Sequence, residues 1–171
     1  MKKMLLTLAL MAGIVFSASA QKMAYVNTEY ILKKIPAYKT AQDQLDKLSQ
    51  QYEKEIESRY QKLEELYKSY QAEKVLLTDD MKQRRENEII AKEKEAKELQ
   101  RQYFGQGGTM EKKKDELIKP IQEKITSAIN ELATQDGYAM IFDSASNAAI
   151  LFAAPRYDLS DKVLEKLGYR N

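Results

Sequence analysis

The sequence predicts a mainly α-helical protein with a small β body, in which a long antiparallel helical hairpin is attached to short strands. The chain has 171 residues, of which 32% are charged and 43% are hydrophobic, and it contains only 6 glycines and 3 prolines. Such a composition is typical of long helices exposed to solvent. Residues 38–77 contain neither glycine nor proline, whereas apolar runs of strand length occur near both ends of the chain. The first pattern predicts the hairpin and the second predicts the β body.

The start of the chain has the three parts of a secretory signal peptide. A basic beginning is followed by a mostly apolar stretch over residues 4–16 and by small residues up to Ala20. We therefore predict a signal peptide over residues 1–20, cleaved after Ala20, and a soluble mature protein outside the cytoplasm. The apolar stretch is shorter than the ~20 residues of a membrane span. Cleavage removes Lys2 and Lys3 and leaves 26 basic and 26 acidic side chains, so a neutral chain gives no reason to expect nucleic acid as a partner.

Short elements come first in the mature chain. Residues 24–27 are a candidate strand, and residues 28–34 follow as a short helix with either Asn27 or Thr28 as its N-cap. Pro36 is expected to end this helix, because proline has no N–H to continue the hydrogen-bond ladder.

The hairpin is predicted to occupy residues 38–135 and to turn near residues 77–80. Its first helix carries apolar side chains on steps of three and four residues, which places them on one face and predicts a coiled-coil-like seam. Thr78, followed by two aspartates, is a typical start of the second helix because its hydroxyl can cap the first turn. The seam consists of Leu45, Leu48, Tyr52, Ile56, Tyr60, Leu63, Tyr67 and Tyr70.

Glycines interrupt the second half of the hairpin. The helix that starts after Thr78 is expected to end near Tyr103, and Thr109 can cap its continuation. Glycines at this place predict a hinge in the arm rather than a phosphate-binding loop, which would follow a strand and have a different spacing. Pro120 is expected to kink the continuing helix or to reset its first turn. The predicted hinge residues are Gly105, Gly107 and Gly108.

Two apolar runs and a last helix close the chain. Residues 138–143 and 149–153 are candidate strands joined by a serine-rich turn. Asp158 is expected to cap a final helix that ends before Gly168. The buried stripe of that helix would consist of Leu159, Val163, Leu164 and Leu167.

The three candidate strands are apolar on both faces, and one short helix cannot cover both of them. A two-helix arm with a narrow seam also buries little apolar surface on its own. Both problems are solved if several chains share the β body, formed by residues 21–37 and 136–171, as a common core. We therefore predict a homo-oligomer. Its predicted interface contains Tyr25, Val26, Met140, Ile141, Phe142, Ile150, Leu151 and Phe152.

The order of these pieces resembles the Skp/OmpH family of periplasmic chaperones for outer-membrane proteins. Besides the hairpin, the resemblance is carried by residues 24–27, 118–122, 138–143 and 158–167, and it covers essentially the whole chain. It implies a homotrimer in which strands from three subunits form a small shared β-barrel core and three hairpins enclose a cavity. It also implies that unfolded outer-membrane proteins are held in that cavity without ATP.

The neutral mature charge departs from the better-known members of that family, which are basic and whose attraction to acidic clients and lipopolysaccharide is often ascribed to this charge. A peripheral contact of this chain with membrane or lipopolysaccharide would depend on two local basic clusters, Arg84–Arg85 and Lys112–Lys114. Acids flank both clusters, which is typical of an ordinary solvated helix face. We therefore assign no lipopolysaccharide-binding residue.

Four tyrosines on or beside the seam are candidates for contact with unfolded clients. Tyrosine offers apolar area with a polar edge and so suits weak, adaptable contacts. The more ordinary meaning of helical spacing is that the rings pack the two helices together and leave their hydroxyls in solvent. The four residues are Tyr52, Tyr60, Tyr67 and Tyr70.

The residue types absent from the sequence exclude most catalytic chemistry. Without cysteine or histidine the chain has no thiolate nucleophile, disulfide, imidazole base or usual zinc site. Its carboxylate pairs lie on helices predicted to be exposed, with lysine or arginine within a turn, so nothing would raise a pKa for acid–base work. We predict no enzyme, no catalytic residue, no cofactor and no metal. The alternative to a chaperone is a structural or adaptor protein of the cell envelope that binds a folded partner through its coiled-coil arms.

Overall fold

The computed structural model describes residues 21–146 and 150–169 and shows a mainly helical chain with a small sheet. The predicted signal peptide lies outside the described residues. Within those ranges, none of the helices combines the length and the apolar character that crossing a membrane requires. The elements in chain order are β1 (Lys22–Val26), α1 (Thr28–Lys34), α2 (Pro36–Glu73), α3 (Asp79–Phe104), α4 (Thr109–Asp136), β2 (Tyr138–Asp143), a 3-10 turn (Pro155–Tyr157) and α5 (Ser160–Lys166).

The sheet consists of β1 and β2, which run parallel. β2 has the predicted bounds, whereas β1 begins two residues before the predicted strand and ends at Val26. Asn27 is the N-cap of α1, because its side chain accepts a hydrogen bond of 2.9 Å from the Tyr30 N–H. This contact decides between the two candidate caps.

A β-bulge sets which side chains of the sheet face the helices. Lys22 is paired with Tyr138, but Met23 is paired with Met140, so β2 contains one extra residue at this point. The extra residue lets Tyr138 and Ile141 pack against the same core. Strict alternation along a strand would place these two residues on opposite faces.

The predicted third strand, residues 149–153, is wrong for the part that the structure describes. Both edges of β1 are occupied, one by β2 and the other by a hydrogen bond of 2.9 Å from the Leu159 N–H to the Tyr25 carbonyl. The amide and the hydroxyl of Ser144 also donate to the Val26 carbonyl, at 2.8 and 3.0 Å. The chain leaving β2 is therefore held at the end of β1 and does not turn back along the free edge of β2.

The core lies between one face of the sheet and helices α1, α4 and α5. Each of these elements contributes apolar side chains, so one of the two apolar faces of the sheet is covered within the chain. The stripe predicted for the last helix is confirmed, with Leu167 partly buried beside it. The buried core residues are Ala24, Val26, Ile31, Ile35, Ile125, Ala128, Leu159, Val163 and Leu164.

The start of α5 is tied to the start of α1. Leu159 is at the cap position of α5, and Asp158 accepts hydrogen bonds from the N–H and the hydroxyl of Ser160 at 2.8 and 2.5 Å. The Asn27 N–H donates to the same hydroxyl oxygen at 2.8 Å. The cap residue is therefore Leu159 and not Asp158 as predicted, although the Asp158 carboxylate accepts the hydrogen bond of the first N–H of the helix. The helix is followed by Gly168 in the left-handed conformation, with φ +86.

The arm is an antiparallel hairpin in which α2 runs outwards and α3 and α4 return. Pro36 separates α1 from α2 and occupies the first turn of α2, where its missing N–H breaks no helical hydrogen bond. After Glu73 the chain reverses over residues 74–78. Thr78 caps α3 as predicted, because its hydroxyl accepts a hydrogen bond of 3.4 Å from the Met81 N–H.

The return half of the arm is interrupted between α3 and α4, as predicted. Gly108, rather than Thr109, is the N-cap of α4. The Thr109 hydroxyl instead donates to the Gln102 carbonyl at 3.3 Å. α4 continues through Pro120, so the predicted reset of its first turn there is wrong. Proline removes one hydrogen bond inside the helix. Two residues before it, Ile118 is buried against α2, and this packing stabilises the helix near the missing bond.

Candidate functional site

The face of the sheet that points away from the helices is apolar and exposed. Met23, Met140 and Phe142 are each nearly half exposed, and Leu151 and Phe152 are almost fully exposed. Much of this surface lines an open cavity of about 760 Å³. An exposed apolar patch is a candidate interaction surface. We call it the body face, and it consists of Met23, Tyr25, Met140, Phe142, Ile150, Leu151, Phe152 and Tyr157.

The predicted oligomer interface falls partly on the body face. Tyr25, Phe142 and Ile150 lie on it, together with the exposed residues named above. Val26 is buried in the core of its own chain, and Ile141 packs against that core. Neighbouring residues of a strand point to opposite faces, which explains the division. Val26 therefore has no surface left for a second subunit, and the interface role of the other residues stays a prediction.

Asp143 fixes the end of β2 against the start of α1. Its carboxylate accepts hydrogen bonds from the N–H and hydroxyl of Thr28 at 3.2 and 2.7 Å and from the Ala145 N–H at 3.0 Å. Partial burial acts to raise the pKa of Asp143, but the hydrogen bonds from Thr28, Ala145 and Ser146 outweigh it and lower the pKa. Asp143 is therefore an ionised structural carboxylate at neutral pH.

Two of the four tyrosines predicted to contact clients pack the hairpin together. Tyr52 stacks on Tyr103 of α3, with ring centroids 3.8 Å apart and planes 9° from parallel. The Tyr103 hydroxyl donates to Glu55 at 2.8 Å, and this hydrogen bond raises the pKa of Tyr103. Tyr70 is 4% exposed and donates to Glu86, which raises the pKa of Tyr70 to about 12. Tyr52 and Tyr70 thus have the packing role, and the Tyr70 hydroxyl is bonded to a carboxylate.

The pairing of Tyr103 with Tyr52 was not predicted from the sequence. Tyr103 belongs to a thin apolar stripe of the second helix with Ile89, Ala96 and Leu99, which indicates packing but does not identify the partner ring. The contact depends on the register between α2 and α3, which the spacing along either helix alone does not fix.

The other two tyrosines lie on one exposed side of the arm. Tyr60 and Tyr67 are 37% and 53% exposed, and the Tyr60 hydroxyl makes a long hydrogen bond of 3.4 Å to Gln100. Both rings line a cavity of about 460 Å³, and a second cavity of about 330 Å³ lies on the body side of it. We call this surface the tyrosine groove. α2 contributes Glu53, Ile56, Glu57, Tyr60, Leu63, Glu64 and Tyr67, and α3 contributes Ile89, Glu93, Gln100 and Phe104.

The tip of the arm exposes two apolar side chains that sequence reasoning did not single out. Val75 and Leu76 lie in the turn between α2 and α3 and are 91% and 86% exposed. The signal was present in the sequence, because an apolar run over residues 75–77 directly precedes the predicted cap Thr78.

Local backbone geometry explains the glycines of the predicted hinge. Gly107 has φ +69, which favours glycine, and its N–H donates to Glu111 at 2.6 Å. A Cβ atom at Gly108 would lie 2.7 Å from the Gly105 carbonyl oxygen and 2.9 Å from that of Gln102. The close backbone approach requires glycine at this position. Bending of the arm at these residues stays a prediction.

Three residues of the two basic clusters form the ion pairs expected of a solvated helix face. Arg84 pairs with Asp80 at 3.0 Å, and Lys113 pairs with Glu116 at 2.6 Å. Arg85 pairs with Glu88 at 3.3 Å within α3. Both arginines of the first cluster are thus paired with an acid of their own helix.

The chain is similar to known proteins over most of its length. Residues 22–167 match the model of a family described as outer membrane protein, OmpH-like. An uncharacterised protein of Aquifex aeolicus (strain VF5) is 29% identical over 167 residues, which cover 98% of this chain and 96% of that protein. A crystal structure of an OmpH-like protein from Caulobacter crescentus, described as an outer membrane chaperone, has a TM-score of 0.67 at 15% identity and covers 87% of this chain and 85% of its own. This structural likeness shows a shared fold.

Proposed function

Because this chain belongs to the OmpH-like family, as its match over residues 22–167 shows, we propose that it is an ATP-independent holdase chaperone of the periplasm. It binds unfolded outer-membrane proteins in a cavity between helical arms and prevents their aggregation. It acts by binding alone and catalyses no reaction. The signal-peptide pattern of residues 1–20 supports action in the periplasm.

The observation that carries this proposal is the tyrosine groove. A holdase must bind many different unfolded segments and release them without an energy source, so each contact must be weak and adaptable. Tyr60 and Tyr67 are partly exposed rings beside the apolar side chains of Leu63 and Ile89. Aromatic rings of this kind contribute apolar contact area without requiring a fixed partner sequence. The groove therefore supports capture of apolar segments by the arm.

The body face supports self-association of the chain. It is an apolar surface beside a strand with a free edge, and both are covered if strands from neighbouring subunits continue the sheet. We propose that the chain forms a homotrimer around a shared β-barrel core. The number three follows from the resemblance to the family. Sedimentation of the mature chain at micromolar concentration is expected to give a single trimeric species, and a folded monomer would contradict the proposal.

Suppression of aggregation tests the holdase. An unfolded β-barrel protein is diluted from urea into the mature chain, and light scattering is followed. We expect suppression near one trimer per client, and the double variant Tyr60→Ser/Tyr67→Ser should lose it while staying oligomeric. Ile90→Ser is the matched control, because Ile90 is exposed on α3 outside the groove. Unchanged aggregation with the wild-type chain would contradict the holdase.

The exposed tip supports a second candidate function, an envelope adaptor that binds a folded partner through its arms. Val75 and Leu76 are two adjacent exposed apolar side chains at the end of the arm, which suits insertion into a pocket of a folded partner. Under this alternative, Val75→Ser/Leu76→Ser would abolish binding to the partner, and the wild-type chain would leave client aggregation unchanged. Loss of aggregation suppression in Tyr60→Ser/Tyr67→Ser but not in Val75→Ser/Leu76→Ser would favour the holdase.

A further inference from the structure

The tyrosine groove differs in charge from the opposite side of the arm. Its lining contains four carboxylates, and neither lysine nor arginine is among the residues that line it. The hollow on the other side of the hairpin, of about 520 Å³, is lined by cations as well as by acids. The cations of this second hollow are Arg59, Lys62 and Lys92, and its acids are Glu65 and Glu95.

Two of the four groove carboxylates have no cationic partner in the described part of the chain. Glu64 and Glu93 each form an ion pair with a lysine one turn further along the same helix, at 2.6 and 2.5 Å. Glu53 accepts a hydrogen bond of 2.9 Å from a serine, and Glu57 accepts one of 3.4 Å from a glutamine. These neutral donors leave both negative charges in place. The groove therefore combines aromatic rings with a local negative potential, although the mature chain is neutral.

We infer that the tyrosine groove selects client segments that combine aromatic or aliphatic residues with nearby lysine or arginine. This inference rests on the proposed holdase function and names the chemistry of the segments that it holds. The apolar side chains of such a segment would pack on Tyr60, Tyr67 and Phe104. Its lysine or arginine residues have long apolar stems that let their charged ends reach the carboxylates at the rim of the groove.

The length of the groove limits the size of the segment. Glu53 and Tyr67 are fourteen residues apart on α2, which corresponds to about 21 Å along a helix. An extended peptide covers this distance with about six residues. Cations of the segment can also lie over the face of a tyrosine ring, which adds attraction that a neutral segment lacks. Acidic segments would be repelled by Glu53 and Glu57.

A pair of labelled peptides tests the inference with the full mature protein. Both are unstructured, roughly ten residues long and identical in their aromatic residues, but one carries lysines where the other carries glutamates. We expect the lysine peptide to bind about tenfold more tightly at low salt, because several exposed charge pairs each contribute a small factor. The difference should shrink as the salt concentration rises. Equal affinities, or tighter binding of the glutamate peptide, would overturn the inference.

Charge variants locate the effect. Glu53→Gln/Glu57→Gln should remove most of the preference for the lysine peptide and should change the affinity for a neutral aromatic peptide much less. Glu65→Gln/Glu95→Gln is the matched control, since it removes the same number of charges from the opposite hollow. An equal loss of preference in both variants would show that the groove is not responsible and would overturn the inference.

The outcomes separate this inference from the proposed function. If unfolded barrel proteins and the neutral peptide are held but charge makes no difference, only the inference fails. If neither is held, the holdase itself fails. A third outcome is occupation of the groove by the arm of a second copy. Peptide binding would then be absent and Tyr60→Ser/Tyr67→Ser would change the oligomeric state, which would overturn the inference as well.

Discussion

The two halves of the arm are held together by different interactions, although α2 runs through both. In the base, where α2 packs on α4, the apolar side chains of Ala41, Leu45 and Ile118 are buried. In the outer arm, where α2 packs on α3, Tyr70 and Ala96 are the buried apolar residues in the described structure. Hydrogen bonds from tyrosine hydroxyls to α2 or α3 side chains accompany this sparse packing.

The difference shows how one hairpin can be anchored at one end and available for binding at the other. Apolar burial stabilises the base because it is continuous with the packing of the body. Hydrogen bonds between partly exposed side chains contribute less, since water competes for the same groups. The outer arm can therefore expose aromatic rings along the tyrosine groove without loss of the anchor.

Among the tests of this comparison, truncation of a buried leucine is expected to change the free energy of unfolding most. Leu45→Ala in the base should lower the free energy of unfolding by about 2–4 kcal/mol, because it removes buried apolar contacts and leaves a cavity. Leu66→Ala, at a half-buried position of the outer arm, is the matched control and should cost less than half as much. Urea unfolding at one fixed protein concentration measures both. Equal losses would show that the two halves are packed alike.

Gly107→Ala tests the segment that joins α3 to α4 and should have the next largest effect on the free energy of unfolding. Open space surrounds the position of the added Cβ, so the expected cost of about 1–2 kcal/mol comes from the left-handed backbone at φ +69. Gln106→Ala is the control, because the neighbouring residue is exposed and has no positive φ. If Gly107→Ala were as stable as this control, the segment between α3 and α4 would be able to change its conformation without a loss of free energy of unfolding.

Much of the arm and its joints could be predicted from the sequence, because local signals determine them. The absence of glycine and proline over residues 38–77 predicted the long helix, and the Thr78 hydroxyl marked the start of the next one. The bounds of β2 at Tyr138–Asp143 follow from its apolar run between turn residues. These signals act within a few residues of the position that they control, so no tertiary information was needed.

The misassigned parts depend on contacts between distant residues. Whether residues 150–153, the described part of the predicted third strand, form a strand depends on a sheet edge to pair with, and the hydrogen bonds of Ser144 to β1 direct the chain elsewhere. In the candidate site, the spacing placed Tyr60 and Tyr67 on the same seam as Tyr52. It could not separate them from Tyr52, because the partner ring of Tyr52 comes from another helix.

Removal of one hydroxyl tests the polar contacts of the outer arm. Tyr103→Phe keeps the stacked ring but loses the 2.8 Å hydrogen bond to Glu55. We expect a local loss of about 1 kcal/mol, because one carboxylate-linked hydrogen bond is removed at a partly exposed site. Amide hydrogen exchange should accelerate in the outer arm and stay unchanged in the body. Tyr60→Phe is the control, since its 3.4 Å contact with Gln100 is weaker; equal acceleration in both variants would contradict the prediction.

Alkaline pH should produce the smallest effect and confine it to the outer arm. The hydrogen bond to Glu86 raises the pKa of Tyr70 from 10.0 to about 12, so the folded arm holds this proton more tightly than the unfolded chain does. The corresponding stability is fully present below pH 10 and is lost as the pH rises towards 12. Helix content and tyrosine ionisation, followed together by circular dichroism and ultraviolet absorbance, should show this loss in the wild type and a smaller loss in Tyr70→Phe, where the raised pKa of Tyr103 still contributes. Tyr67→Phe, which changes an exposed ring on the same helix, should retain the wild-type dependence. If Tyr70→Phe showed the full wild-type loss, the contact with Glu86 would have no part in holding α3 against α2.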